Sequence, residues 1–288
     1  MDFDKMPAEA EKLTVYQNHD QVFVRWNNLP LTVYRAQPGL KYPYFSPLSG
    51  PTSGLSVTSE SGFSYPHHRG LWLGCEPLNS GDYWRDGPLA DGQIQTTDLK
   101  TEQLSETAVV VKTACTWVRS EGHNPFNDER RFTISVANDD LWSIDCELTL
   151  HAQEDIEIEN AKHSFFAIRT ESDLSPLYGG VLENSEGGRF AEGTQGVEAK
   201  WCGYHGKRAM RPDVTEGICV MAHPGNSFRP VFFTRDYGHL SPSPFNFIKE
   251  PWRMAKDEIL RLRYLVVVHA GDPKEAGLDT VFDQWAQD

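Results

Sequence analysis

The chain has 288 residues and a formal net charge of −14, from 27 Lys plus Arg against 41 Asp plus Glu. That acidity argues against a nucleic-acid partner held through a basic footprint. Hydrophobic content of 39% and charged content of 24% suit a globular chain, not a disordered or membrane one, and 23 Gly with 18 Pro suit many short strands and turns.

The N-terminal run MDFDKMPAEAEKLTVYQ has no apolar stretch, so no secretory signal is expected. Val22, Val24 and Trp26 mark an early strand. Val109 to Val118 reads as a longer one, with Val109, Val111, Cys115 and Trp117 on one face. Phe132, Ile134 and Val136 alternate next. After the turn signal Asn138-Asp139-Asp140, the apolar Trp142, Ile144, Cys146, Leu148 and Leu150 alternate with polar neighbours. Ile156 and Ile158 follow. Leu260, Leu262, Tyr264, Val266 and Val268 predict a late strand. Only the end of the chain reads as a helix, where Leu278, Val281, Phe282 and Trp285 recur at helical spacing. It is expected to pack on the outside of a sheet. No stretch approaches the ~18 apolar residues of a spanning helix. Hairpin-linked strands without alternating helices predict an all-β fold, a large antiparallel β-sandwich with a short C-terminal helix, as one domain over residues 1–288. Cys75, Cys115, Cys146, Cys202 and Cys219 are odd in number and irregularly spaced, which argues for reduced buried thiols and a cytoplasmic location.

Four segments break the alternation and gather Arg, His, Tyr, Trp and Gly, as loops that carry sites do. The first is Ser64 to Trp72 with Gly81-Asp82-Tyr83-Trp84. His is the natural proton carrier near neutral pH. Adjacent strand residues face opposite ways, so His67 and His68 meet one ligand only if the backbone turns. The second is His163 to Arg169, where parity puts His163, Phe165, Ala167 and Arg169 on one face. Its ends lie ~20 Å apart at ~3.3 Å per residue. Arg169 can bind a carboxylate or hydroxyls. The third, Gly179 to Gly188, holds Asn184 and the loop acid Glu186. The fourth runs from Met221 through His223-Pro224-Gly225-Asn226 to Arg235-Asp236-Tyr237-Gly238-His239. Each also has a structural reading, as backbone-bonded histidines, wet-face ion pairs or rigid turns.

Interleaved aromatics beside Arg, His, Asn and Asp suit a sugar, whose apolar face packs on rings while its hydroxyls bond polar groups. Phosphate-loop, zincin, serine-hydrolase and kinase patterns are absent. His67, His68, His163, His205 and His223 could supply metal ligands, but no spacing dictates a site.

Taken in order, Pro66-His67-His68-Arg69-Gly70-Leu71-Trp72 with Asp82-Tyr83-Trp84, Lys162 to Arg169, Asn184-Ser185-Glu186-Gly187, Ala199-Lys200-Trp201 with Tyr204 and Gly206, His223 to Asn226 and Arg235 to Gly238 resemble the bacterial family labelled "methane oxygenase PmoA-like". The C-terminal run from Leu262 to Asp272 joins them, so the resemblance spans roughly residues 40 to 287. It implies a soluble β protein akin to the galactose-mutarotase-like sandwiches, whose genes accompany sugar oxidoreductases and isomerases. It supports fold and substrate class and leaves the reaction open.

The leading expectation is an enzyme of carbohydrate metabolism using general acid–base chemistry on a sugar, glycoside or keto-sugar, of mutarotase, epimerase, lyase or hydrolase type. His67, His68, His163, Glu186 and His223 are the candidate catalytic residues. Arg69, Trp72, Asp82, Trp84, Arg169, Asn184, Asn226, Arg235 and Tyr237 are the candidate substrate-binding residues, the arginines holding hydroxyls or a developing oxyanion. Alternatives are a non-catalytic carbohydrate-binding protein and a metal-dependent oxygenase. No cofactor is expected, with a divalent metal as the alternative. The expected partner is a small-molecule sugar or glycoside, without nucleic acid or membrane, and a homodimer is left open. Acids concentrate from Asp139 to Asn160, whereas Phe63 to Cys75 has none, so the candidate site is locally neutral to basic.

Overall fold

The computed structural model describes residues 12–62 and 64–287. The targeting expectation drawn from residues 1–11 lies outside them. In chain order the strands are β1 (Leu13–Asn18), β2 (Gln21–Trp26), β3 (Leu29–Arg35), β4 (Tyr44–Leu48), β5 (Leu71–Glu76), β6 (Gln93–Ser105), β7 (Ala108–Val118), β8 (Phe126–Asn138), β9 (Leu141–Ala152), β10 (Ile156–Ile158), β11 (His163–Arg169) and β12 (Val181–Asn184). Then come the helix α1 (Phe190–Thr194), β13 (Trp201–Arg208), β14 (Arg211–Ala222), β15 (Phe233–Arg235), β16 (His239–Ser241), β17 (Trp252–Met254), β18 (Ile259–Ala270) and the helix α2 (Leu278–Trp285). Among the described residues, one eight-stranded sheet runs β1-β2-β3-β4-β5-β11-β16-β15 and a second runs β12-β13-β14-β18-β9-β8-β7-β6, with a β10–β17 ribbon beside them. The fold is the antiparallel all-β sandwich with a short C-terminal helix that the alternation predicts.

β9 shows how that alternation becomes a layer. Trp142, Ile144, Cys146, Leu148 and Leu150 are buried in the shared core, while Ser143, Asp145, Glu147 and Thr149 face outward. Asn138 closes the turn before it, its Oδ1 accepting from the Asp140 amide at 2.9 Å. β14 and β18 are apolar on both faces, for a visible reason. Ile218, Val220, Tyr264, Val266 and Val268 face the shared core, whereas Cys219, Met221, Leu265 and Val267 pack under Leu278, Phe282 and Trp285 of α2. Each of those helix anchors is worth about 1.5–3 kcal/mol of apolar burial. Trp201 Nε1 donates to Asp279 at 2.8 Å and fixes α2 to the sheet. All five cysteines are free, buried and within strands. Burial pushes the Cys75, Cys146 and Cys202 thiols well up, so they are inert at neutral pH. Among the described residues no helix is long and apolar enough to cross a membrane.

The β11 segment departs from simple parity. Adjacent Phe165 and Phe166 both pack toward the second sheet, on Trp117 and Tyr264. Beyond them alternation resumes: Ile168 and Leu240 join the shared core. Their neighbours Arg169 and His239, paired in register, therefore project from the opposite face of the first sheet. That outer face carries the candidate site.

Candidate functional site

The loop before β5 is built to present two consecutive histidines. A bridge between Glu60 and Arg69 closes its base. At its tip the His68 amide donates to the Tyr65 carbonyl at 3.0 Å, a four-residue turn with Pro66 second, where its fixed φ is preferred. This turn supplies the reversal that lets His67 and His68 act together. Gly70 has φ +63°, and a Cβ there would lie 2.0 Å from the Phe45 carbonyl oxygen, so only glycine fits the entry into β5. The Tyr42 hydroxyl donates to the His67 carbonyl, and Arg69 donates to Asp86 at 2.7 Å, which ties this loop to the next.

Four histidines follow in contact. Ring centroids are 6.0 Å apart for His163 and His67, 4.6 Å for His67 and His68, and 4.6 Å for His68 and His239. Trp72 stacks on His68 at 5.4 Å and Trp84 on His163 at 5.8 Å, forming a buried aromatic floor. Above it lies a cavity of about 190 Å³ lined by Tyr65, His68, Lys162, His163, Phe233, Arg235, Tyr237 and His239. Tyr65 stacks on Tyr237 at 4.6 Å, and the Arg169 guanidinium lies 4.6 Å over the Tyr237 ring.

Burial sets the charge states. His68 and His239 are held well below the usual imidazole range, first by desolvation and then by neighbouring histidines and Arg169, so both are neutral at pH 7. Desolvation and His163 lower His67 as well. His163 Nδ1 lies 2.7 Å from Glu76 Oε2, and that bond is the main cause that holds the Glu76 carboxyl low. Arg85 takes the other Glu76 oxygen at 2.9 Å. Burial pushes the Tyr237 hydroxyl up to about 12. His68 Nδ1 lies 3.4 Å from an Arg169 nitrogen. Arginine only donates, so Nδ1 of His68 is the acceptor and its proton sits on Nε2.

The structure brings together part of the set singled out in the sequence. His68, His163, Arg235 and Tyr237 line the cavity, and His67, Arg169, Trp72 and Trp84 back it. The others do not line it. Arg69 is held by Asp86 between Tyr42 and Tyr44. Asp82 caps its own turn, accepting from the Trp84 and Arg85 amides at 3.0 and 2.8 Å, and so positions Trp84. Asn184 likewise caps a turn, through the Glu186 and Gly188 amides. Glu186 is exposed and bonded by the Ser185 hydroxyl. His223 packs edge-on against Trp285 and accepts from the Gly225 amide, while Asn226 binds the Arg263 backbone on both sides. These four sit at turns of the second sheet. Trp201 lies under α2, and the Tyr204 hydroxyl bonds the Arg235 and His239 carbonyls from within the core. Among the described residues, no three His, Cys, Asp or Glu side chains are grouped to hold a metal ion.

The sequence assigns no role to Glu76, His239, Tyr65, Lys162 or Phe233, although all but Glu76 lie in the segments it singles out. His239 carried a signal, because Asp236-Tyr237-Gly238 is a turn that sets Arg235 opposite His239. Glu76 carried none. It meets His163 only because β5 and β11 pair across 87 positions of chain.

Comparison with solved structures returns partial likenesses at very low sequence identity. A Klebsiella pneumoniae subsp. pneumoniae protein provisionally designated an aldose 1-epimerase is 6% identical, with TM-score 0.46 over 96% of this chain and 86% of that one. A galactose mutarotase related enzyme from Lactobacillus acidophilus is 6% identical, with TM-score 0.34 over 89% and 97%. A polysaccharide lyase is 11% identical, with TM-score 0.37 over 92% of this chain, which spans 33% of the lyase. No curated protein matches the sequence. None of these comparisons carries the methane-oxygenase label of the family that the sequence resembles. A family model does match, over residues 21–283, and the chain therefore belongs to the family described as "Family of unknown function (DUF6807)".

Proposed function

We propose that the protein is an enzyme of carbohydrate metabolism that moves protons on a sugar, glycoside or keto-sugar bound in the histidine cavity. The observation that carries this reading is the pairing of His163 with the Glu76 carboxylate at the cavity wall, beside a neutral His68 of the opposite tautomer. An ionised Glu76 accepts from Nδ1–H of His163, which leaves Nε2 as the lone-pair nitrogen and stabilises the imidazolium formed when it takes a proton. His68 presents Nε2–H instead, a donor suited to a ring or carbonyl oxygen. One base and one donor are the pair that ring opening, enolisation or epimerisation needs. Arg235 is the group to stabilise a developing oxyanion, and Tyr65, Tyr237 and Phe233 supply apolar surface for the ring.

The test is a panel of sugars, glycosides and keto-sugars followed by NMR for anomer exchange, epimer or cleavage product. On the substrate so found, His163→Gln and His68→Gln are expected to lower kcat/KM by about 10²–10⁴ with the fold retained by circular dichroism. Wild-type turnover by both variants overturns the acid–base roles. Saturable binding without turnover anywhere on the panel favours a binding protein instead.

A further inference from the structure

The cavity is lined by cationic side chains that no acid among the described residues pairs with directly. Lys162 and Arg235 line it and Arg169 lies behind His68, while no carboxylate side chain lines it. Among the described residues, no ion pair joins Lys162, Arg169 or Arg235 to an acid, whereas Arg69 and Arg85 beside them are both paired. Glu76, the acid that Lys162 acts on, is taken up by His163 and Arg85, and Glu171 acts on Arg169 electrostatically without forming an ion pair with it. Asp236 turns away to accept from the Ala191 amide at 2.7 Å. Arg235 donates to the Thr234 carbonyl at 2.9 Å and lies 4.0 Å over the Phe233 ring, which leaves the rest of its fork unclaimed. In a chain of net charge −14, acids were plentiful, so an unpaired cationic wall marks where an anion belongs.

A second observation points into the same space. His239 is 1% exposed, lines the cavity, and has no hydrogen-bond partner on either ring nitrogen. Such a group is costly unless satisfied. A neutral imidazole offers one donor and one acceptor on nitrogens that point apart, and a sugar hydroxyl, being both donor and acceptor, can answer whichever one faces the cavity.

We propose that the cavity takes a sugar bearing a carboxylate, of hexuronate type, with the carboxylate on Arg235 and Lys162 and a hydroxyl on His239. The proposal rests on the sugar-enzyme reading above and names its substrate class. A carboxylate is preferred to a phosphate because about 190 Å³ is small for a ligand site and holds one ring with a compact planar group. A guanidinium pairs with that group through two parallel bonds.

Calorimetric titration of the full chain with D-glucuronate, D-glucose and D-glucose 6-phosphate tests it. Glucuronate is expected to bind at least about tenfold more tightly than glucose, the effect of one charge-assisted hydrogen bond. The preference should shrink toward unity in Arg235→Gln, fall partly in the surface variant Lys162→Gln, and weaken as salt rises. Equal affinity for glucuronate and glucose overturns the proposal and leaves the sugar-enzyme reading standing. Preference for the phosphate overturns the carboxylate assignment, and binding of none of the three overturns the proposal and counts against the wider reading too.

Discussion

Replacing Glu76 by Gln tests whether the carboxylate directs His163. The Nδ1···Oε2 separation is 2.7 Å, both side chains are about one-fifth exposed, and the bond is charge-assisted. Such bonds contribute about 1.5–3 kcal/mol. If that stabilisation is delivered to the imidazolium in the transition state, Glu76→Gln lowers kcat/KM by about 10- to 150-fold, since each 1.4 kcal/mol is tenfold. KM should change little, because Glu76 does not line the cavity. Arg85→Ala removes the other partner of Glu76, at 2.9 Å, but Arg85 is half exposed, so its loss is expected to cost under about fivefold. The assay is steady-state kinetics on the substrate found by the panel, with imidazole ¹⁵N NMR as a readout independent of turnover. The wild type should show His163 protonated at Nδ1, and Glu76→Gln should disturb that tautomer. Wild-type kcat/KM together with an unchanged tautomer refutes the reasoning.

Stability should fall on the acid side of neutrality. Burial holds His68 and His239 well below the usual range and His269 at about 4, so the unfolded chain takes up protons below about pH 6.5 that the folded chain refuses. Stability is fully present above pH 6.5 and is lost as pH falls, by about 1.4 kcal/mol per pH unit for each such histidine. A urea midpoint that stays flat from pH 7 to 5 contradicts this. Gly70→Ala is expected to cost at least about 2 kcal/mol, from a left-handed φ and overlap with the Phe45 carbonyl, and to lower Tm by about 3 °C or more. An unchanged melting curve shows that the loop adapts. His223→Ala and Glu186→Gln are expected to keep turnover within about twofold, because both side chains serve turns away from the cavity. A hundredfold loss in either, with the fold intact, places the chemistry elsewhere.

The sequence by itself determined the sandwich. Period-two alternation in Trp142 to Leu150 reports which face meets the core, and that rule is local to each strand. The helix at Leu278 to Trp285 was legible for the same reason, as were the buried thiols. The His67-His68-Arg69 loop stood out because Pro66 and Gly70 bracket it, and those residues demand particular backbone angles wherever they occur. Only the tertiary structure decided which polar segments converge. His223-Pro224-Gly225-Asn226 and the Asn184 turn have the composition of a site, but they are spent on local backbone bonds. Glu76, an unremarked acid at the end of β5, meets His163 through a register that no nearby residue encodes. Whether a histidine is a proton carrier or a turn residue depends on the burial and the neighbours that strand pairing brings to it. Those contacts are long-range, so composition and spacing mark the candidates without choosing among them.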